Sequence, residues 1–274
     1  MQLNKVYAAY FSPTHTSQTV ALAVAGGTDL PCCDLDGTLA PLPALSLTTE
    51  DLLVVAAPVY GGHVAPLALK RLDALSGNGT PAVAVVVYGN RDFGRAAVEL
   101  SAFLSARGFV VTAVAAFVGE HSYSTPETPI AAGRPSAVDR RDARQLGQEL
   151  VAKLRWGNVK RVRASRLKCP SSGWLNNLRF VRFVLGYMRE MKRHPVVVLP
   201  VTDASSCVGC GECARKCPTG AIQAGKELET DADKCIRCAA CVKCCPHHAR
   251  SYATPFAPVL SRCYARPKRN VWVL

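Results

Sequence analysis

The sequence predicts an α/β chain in which a doubly wound, five-stranded parallel sheet is followed by a small α+β domain organised around cysteines. Three observations carry this expectation. Apolar runs alternate with helix-patterned segments through the first 150 residues. Nine of the 13 cysteines lie between Cys207 and Cys245. Between these regions the charge changes abruptly: residues 151–193 carry 12 Lys and Arg against 1 acidic residue, whereas residues 1–150 carry 10 against 13.

The apolar runs are residues 5–11, 29–35, 51–57, 82–88 and 109–118. Their Val-rich, non-alternating character suits strands covered on both faces, as in a parallel sheet. Helical patterns fall between them at about 16–25, 64–75, 93–107 and 136–154. This βαβ rhythm implies ligands at the carboxyl ends of the strands. On this reading residues 1–154 form the first domain, and Cys32 and Cys33 are small core residues of a buried strand.

A basic linker follows at 155–195, with a helix over 175–193. On that helix Arg179, Arg182, Arg189 and Arg193 recur at helical spacing, while Leu178, Val181, Leu185 and Met188 form a separate apolar row. A connector packed on its neighbours is the favoured reading, ahead of a face for a partner or a lipid surface. Residues 196–256 form the cysteine domain, in which 223–234 reads as a turn and strand connection. Residues 257–274 read as a tail wrapped on the surface.

No run of about 18 apolar residues is free of Gly, Pro and charge, so no membrane span is expected. The N-terminus lacks the basic and apolar regions of a secretory signal. A chain of 274 residues with no such signal suits metal binding in a reducing cytoplasm better than a disulfide framework. No nucleic-acid fold motif accompanies the basic segment, so nucleic-acid binding is not expected.

The cysteines themselves form an internal repeat. Cys207, Cys210, Cys213 and Cys217-Pro218 make one run, and Cys235, Cys238, Cys241 and Cys245-Pro246 make the second. Both satisfy C-x2-C-x2-C-x3-C-P, the spacing of bacterial two-cluster ferredoxins. Two-residue gaps let one loop carry three thiolates to three iron atoms of a cubane, while the fourth cysteine ligates the other cluster. By this crossing rule Cys207, Cys210, Cys213 and Cys245 hold one 4Fe–4S cluster, and Cys235, Cys238, Cys241 and Cys217 hold the other. Zinc sites use paired C-x2-C knuckles instead. Cys244 breaks the three-residue gap and reads as a free thiol beside a cluster. Cys169 and Cys263 have no partner pattern.

In the first domain the loop after strand one is Ser12-Pro13-Thr14-His15-Thr16-Ser17, followed by a helix. It has no glycine, so it is no dinucleotide fingerprint. Its hydroxyls and the helix N-terminus suit a phosphate monoester without Lys or Arg. The loop resembles the FMN-phosphate loop of flavodoxins, with Ser12, Thr14 and Ser17 at the hydroxyl positions, Thr16 at the variable one, and His15 where glycine is usual. Two further strand ends, Pro58-Val59-Tyr60-Gly61-Gly62 and Tyr88-Gly89-Asn90-Arg91, fall where such sheets place the flavin. Their glycines permit close backbone approach, and Tyr60 or Tyr88 offers a ring to stack on the flavin.

With Glu120-His121-Ser122-Tyr123-Ser124 and Pro129-Ile130-Ala131-Ala132-Gly133-Arg134-Pro135 added, nearly the whole chain resembles the flavodoxin-domain fusions to a two-cluster ferredoxin found mainly in anaerobes. The resemblance implies FMN as the flavin and electron transfer as the role. It also implies that Arg91 lies beside the pyrimidine edge of the flavin, where it would either bond the reduced ring, pair with Asp92 or face solvent. The expected function is a relay between FMN, two 4Fe–4S clusters and a redox partner protein with an acidic face. An FMN-dependent reductase of a nicotinamide or other small substrate is the alternative.

Overall fold

The computed structural model describes residues 2–274, in two compact units. Of the described residues, the first unit comprises 2–120, Gly133–Pro170 and Lys268–Leu274; the second comprises His121–Ala132 and Ser171–Pro267.

In the first unit the strands are β1 (Lys5–Tyr10), β2 (Cys32–Asp36), β3 (Leu45–Leu47), β4 (Asp51–Tyr60), β5 (His63–Val64), β6 (Leu75–Gly77), β7 (Pro81–Tyr88) and β8 (Val110–Val118). Five of them are parallel, in the order β2-β1-β4-β7-β8. Counting only these long strands, the order is 2-1-3-4-5, the flavodoxin-like doubly wound arrangement, whose direction reverses between β1 and β4. Every residue of β7 is buried, which is why its sequence is a continuous apolar run rather than an alternating one. Helices α1 (Thr16–Gly26) and α4 (Ala137–Arg155) share one core with the sheet, built from Val20, Val24, Val54, Val85, Phe117, Leu146 and Leu150. They cross so closely that a Cβ on Gly147 would stand 2.2 Å from the Val24 carbonyl oxygen. Helices α2 (Pro66–Arg71) and α3 (Ala96–Ala106) complete the βαβ crossovers.

Five expectations change here, the last two in the second unit. The helix placed over 64–75 is shorter, and its end gives way to β6, which pairs with β3. Cys32 is exposed and Cys33 half-buried, because β2 is the outermost strand of the sheet and pairs only with β1. The last residues are not a surface tail: α8 (Phe256–Cys263) precedes them, and β11 (Val271–Val273) adds antiparallel to β8. Strand β11 covers a sheet edge that would otherwise offer unpaired N–H and carbonyl groups. The ring of Trp272 stacks at 6.3 Å on that of Phe117, and its indole N–H donates to Glu149 at 2.8 Å. The fourth change concerns the basic helix, in the second unit.

That helix is α5 (Trp174–Arg193). Its Phe180 is buried with Ile130, Leu260, Cys263 and Tyr264, and its Phe183 and Tyr187 pack edge-on against Phe256. The row Leu178, Val181, Leu185 and Met188, expected to pack as a connector face, is exposed instead. The remaining elements are small: α6 (Glu212–Arg215), α7 (Ala240–Lys243), and the antiparallel pair β9 (Val201–Thr202) with β10 (Arg250–Ser251). The fifth change is the segment 223–234, expected to be a turn and strand connection. It is turns with no strand, and the two strands of this part, β9 and β10, pair with each other from either side of it.

Helix α4 opens on a capping box between Ser136 and Asp139. The Asp139 carboxylate is buried, paired with Arg134, and bonded at 2.9 Å by Asn270 from the segment before β11. Burial alone would raise its pKa, but the bonds from Arg134, Asn270 and Ser136 outweigh it and hold the carboxyl well below the usual range. A carboxyl depressed in the folded state stabilises fully above its unfolded pKa, and that contribution is lost as pH falls through the folded value. Asp139→Asn should therefore cost about 3 kcal/mol at pH 7, because it leaves Arg134 unpaired. Denaturant titration should find this difference shrinking steadily as the pH is lowered below about 4.

Candidate functional site

In the second unit the two cysteine runs fold into loops of matching backbone. The residues flanking the second cysteine of each run have positive φ: Gly209 (69°) and Gly211 (72°) in the first, Arg237 (57°) and Ala239 (58°) in the second. Glycine adopts this conformation freely, whereas Arg237 and Ala239 hold it at a cost of roughly 1–2 kcal/mol each. Each loop then enters a short helix, α6 or α7, that carries its third cysteine.

Two cavities result, each lined by four cysteines. Cys207, Cys210, Cys213 and Cys245 line the first, together with Arg250 and Glu227. Cys217, Cys235, Cys238 and Cys241 line the second, together with Pro200, Ile222 and Thr230. In each, three cysteines come from one run and the fourth from the other. Among the described residues no three Cys, His, Asp or Glu side chains converge closely enough to hold one metal ion. Four thiols spread around one cavity fit a cubane, in which each thiolate meets a different iron. Cys244 lines neither cavity; its thiol lies 3.7 Å from the Cys241 carbonyl oxygen.

Donors are aimed at sulfurs that line the two cavities. The Ala221 N–H donates to Cys217 Sγ at 3.2 Å. The guanidinium of Arg250, 4% exposed, lies 4.0 Å from Cys213 Sγ and donates to the Glu227 carbonyl at 2.8 Å. It also bonds the Thr230 hydroxyl, which lines the second cavity. Burial pushes the Cys213 thiol up, and Arg250 opposes this; the same two effects act on Cys241, pushed up to about 11. Arg250 thus favours negative charge at both cavities. Sequence reasoning missed it, since nothing local distinguishes a buried arginine from a surface one.

The candidate flavin residues lie in the first unit, at the carboxyl ends of β1, β4 and β7. His15 takes φ 62°, a left-handed conformation that glycine adopts more readily, and its Nδ1 lies 2.9 Å from Gln18 Oε1. The Ser12 hydroxyl accepts from the Gln18 N–H at 3.0 Å, and the Ser12 N–H donates to Thr38 at 2.9 Å. Thr14 and Thr16 are half-buried on the same turn. Ser17, 1% exposed, has a buried hydroxyl with no hydrogen-bond partner among the described residues. A buried hydroxyl left without a partner is costly, and a ligand bound there would satisfy it. At the first turn of α1, where N–H groups lack intrahelical acceptors, that ligand would be anionic. The loop therefore fits a phosphate.

The other two segments are arranged differently from simple loops. Pro58, Val59 and Tyr60 belong to β4, which turns back through Gly61 (φ 61°) and Gly62 (φ 91°) into β5. Two glycines of positive φ make a tight hairpin, and the Tyr-Gly-Gly-His string carried that signal. A Cβ on Gly94 would come within 2.5 Å of the Gly62 carbonyl, so this hairpin meets the loop after β7 closely. Tyr60 is half-exposed; Tyr88 is buried, its ring 5.5 Å from Phe93, and has no face to offer a ligand. Gly89 is half-buried, and the side chain of Asn90 turns to the C-terminal segment, accepting from the Lys268 N–H at 3.1 Å. Lys268 also donates to the Arg91 carbonyl, and the Arg91 side chain is half-buried.

Two family models, each described as a 4Fe–4S binding domain, match residues 200–223 and 232–254. No curated protein sequence matches the chain. Among solved structures, the chain is similar to a flavodoxin from the domain Archaea, with 13% identity and a TM-score of 0.36 over 55% of this chain and 99% of that one. It is also similar to the flavodiiron protein of Giardia intestinalis (18%, 0.37), covering 56% of this chain and 36% of that one. A third is the rubredoxin oxygen:oxidoreductase of Desulfovibrio gigas (13%, 0.36), covering 57% and 37%. The chain thus spans under two fifths of the length of the last two. Its own strand order defines the fold. The protein joins a flavodoxin-like α/β domain to a ferredoxin-type domain for two 4Fe–4S clusters, and it is an electron-transfer or oxidoreductase protein.

If Arg250 stabilises the extra electron, Arg250→Gln should lower the cluster potentials by about 30–60 mV, since 59 mV is 1.4 kcal/mol for one electron. Arg250→Lys, which keeps the charge, should recover part of the shift. EPR-monitored redox titration measures both, and unchanged potentials in a fully loaded Arg250→Gln protein would contradict this role.

Proposed function

We propose that the protein is an electron relay, in which FMN in the first unit exchanges electrons with the two clusters of the second, and the clusters exchange them with a redox partner protein. The observation that carries the flavin half is the buried, unpartnered Ser17 hydroxyl at the start of α1. Flavin supplies a centre that accepts a pair of electrons and releases them singly, which couples two-electron donors to one-electron clusters.

This chain's residues divide that work. Ser12 is already engaged by the Gln18 N–H and shapes the loop. Thr14, Thr16 and Ser17 remain to hold the phosphate with the N–H groups of the first turn of α1. The partly exposed Tyr60 is the candidate ring to stack on the flavin, and the Gly61-Gly62 turn lets the backbone approach it. Arg91 is the candidate to stabilise its reduced form. Cys210 and Val208 are exposed beside the first cavity and form the exit to a partner. The excess of Lys and Arg over 151–193 suits a partner with an acidic face, whose approach it would steer.

Two variants and one omission test the reading. Ser17→Ala should weaken FMN binding about tenfold or more, the loss of a hydrogen bond to a charged group. Thr14→Glu should abolish it, because a carboxylate opposes the phosphate at the same N–H groups. Both should leave the cluster absorbance unchanged. Purified holoprotein given NADH or NADPH without a protein partner should keep its flavin oxidised. Catalytic turnover with a nicotinamide alone would replace the relay with a reductase.

A further inference from the structure

Helix α5 has two apolar faces, and only one is packed. Phe180, Phe183 and Tyr187 turn toward Phe256 and Tyr264 within their own unit. The second row is Trp174, Leu178, Val181, Leu185 and Met188, stepping alternately by four and three residues. At about 100° per residue it lies about two fifths of a turn from the packed face. These side chains are exposed: Trp174 by 73%, Leu178 by 56%, Leu185 by 51%. Val196 and Val197, just beyond the helix, are also exposed. Along one flank of the row, between it and the Phe183 side of the helix, run Arg179, Arg182, Arg189 and Arg193. With Lys192 the helix holds five cations and one acid, Glu190.

We propose that this face docks the protein on an anionic phospholipid membrane, with α5 lying in the plane of the interface. The charge selects this occupant. A second copy paired along the apolar row would bring Arg182 and Arg189 beside an equally cationic helix whose one acid, Glu190, lies on the side of the helix opposite that row. A bilayer supplies both complements at once: phosphates for the guanidinium row, and the acyl boundary for Leu178, Val181, Leu185 and Met188. Trp174 sits at the end of the row, as an indole anchoring at the headgroup level would. The contact is peripheral, since among the described residues no helix is long and apolar enough to cross a membrane.

Flotation of the full-length holoprotein with unilamellar vesicles tests the proposal. Binding is expected to vesicles containing phosphatidylglycerol and to be weak on pure phosphatidylcholine. Leu178→Ser/Leu185→Ser should weaken binding about tenfold or more by removing inserted apolar surface. Arg182→Gln/Arg189→Gln should weaken it by a similar factor and flatten its salt dependence. All four positions are at the surface, and cluster absorbance equal to that of the parent protein certifies the fold. Absence of flotation with phosphatidylglycerol vesicles, or flotation indifferent to both variants, overturns the proposal. A dimer in sedimentation velocity that Leu178→Ser/Leu185→Ser dissolves would assign the face to a second copy instead. Retention on immobilised polyglutamate without flotation would assign it to an acidic protein.

Discussion

The crossing of the fourth cysteines is the constraint on which the cluster domain depends. Cys245 closes the cavity begun by Cys207, and Cys217 closes the one begun by Cys235. Neither cavity takes its four thiols from one loop, so a cluster filling either would tie both halves of the repeat together. The apolar cluster beside them is small, built from Cys213, Ile222 and Cys241 with Ala214, Val242 and Cys244 packed against it. A core of that size does not hold so short a segment, and metal–sulfur bonds supply what apolar burial lacks. The positive φ of Arg237 and Ala239 fits this picture: strain of that kind persists where the surroundings over-determine the backbone.

Charge is distributed to match. A cubane with four thiolates is anionic, and burying it is costly unless positive charge or N–H donors face the sulfurs. Arg250 provides such a charge from within the fold, anchored by the Glu227 carbonyl and Thr230. In the same unit, Lys243 follows Cys241 on α7 and donates to the Ser124 carbonyl at 2.9 Å, so the inserted segment His121–Ala132 is bound to the cluster loop. Tyr123 of that segment meets Tyr252 edge-on at 5.2 Å. Burial and the Lys243 ammonium push His121 down to about 4, so the imidazole is neutral at physiological pH, with its Nδ1 accepting from the Tyr123 N–H at 3.1 Å. The α/β domain thus lends a loop to its neighbour in the chain, while the C-terminus returns β11 to the α/β sheet.

What could be read from the sequence was what obeys local rules. The cysteine repeat declares itself because cubane geometry dictates the gaps. Strands β1, β4, β7 and β8 do so because both of their faces are covered, which removes polar alternation. Less was legible where a residue's role depends on distant partners. Cys32 and Cys33 stand in an apolar run, yet the edge position of β2 exposes them. Val271–Val273 is too short to read as a strand until the edge of β8 recruits it. On α5 two apolar rows share one helix, and the sequence does not say which is packed. Tyr60 and Tyr88 each precede a glycine in similar strings, and only the fold distinguishes the half-exposed ring from the buried one.

The central claim is that one chain holds two crossed cubanes together with a flavin phosphate at α1. Quantifying iron, acid-labile sulfide and flavin in anaerobically prepared protein tests it most directly. The account predicts about eight irons, about eight sulfides and about one FMN per chain. Two zinc ions without sulfide, or full clusters with no flavin retained, would contradict it.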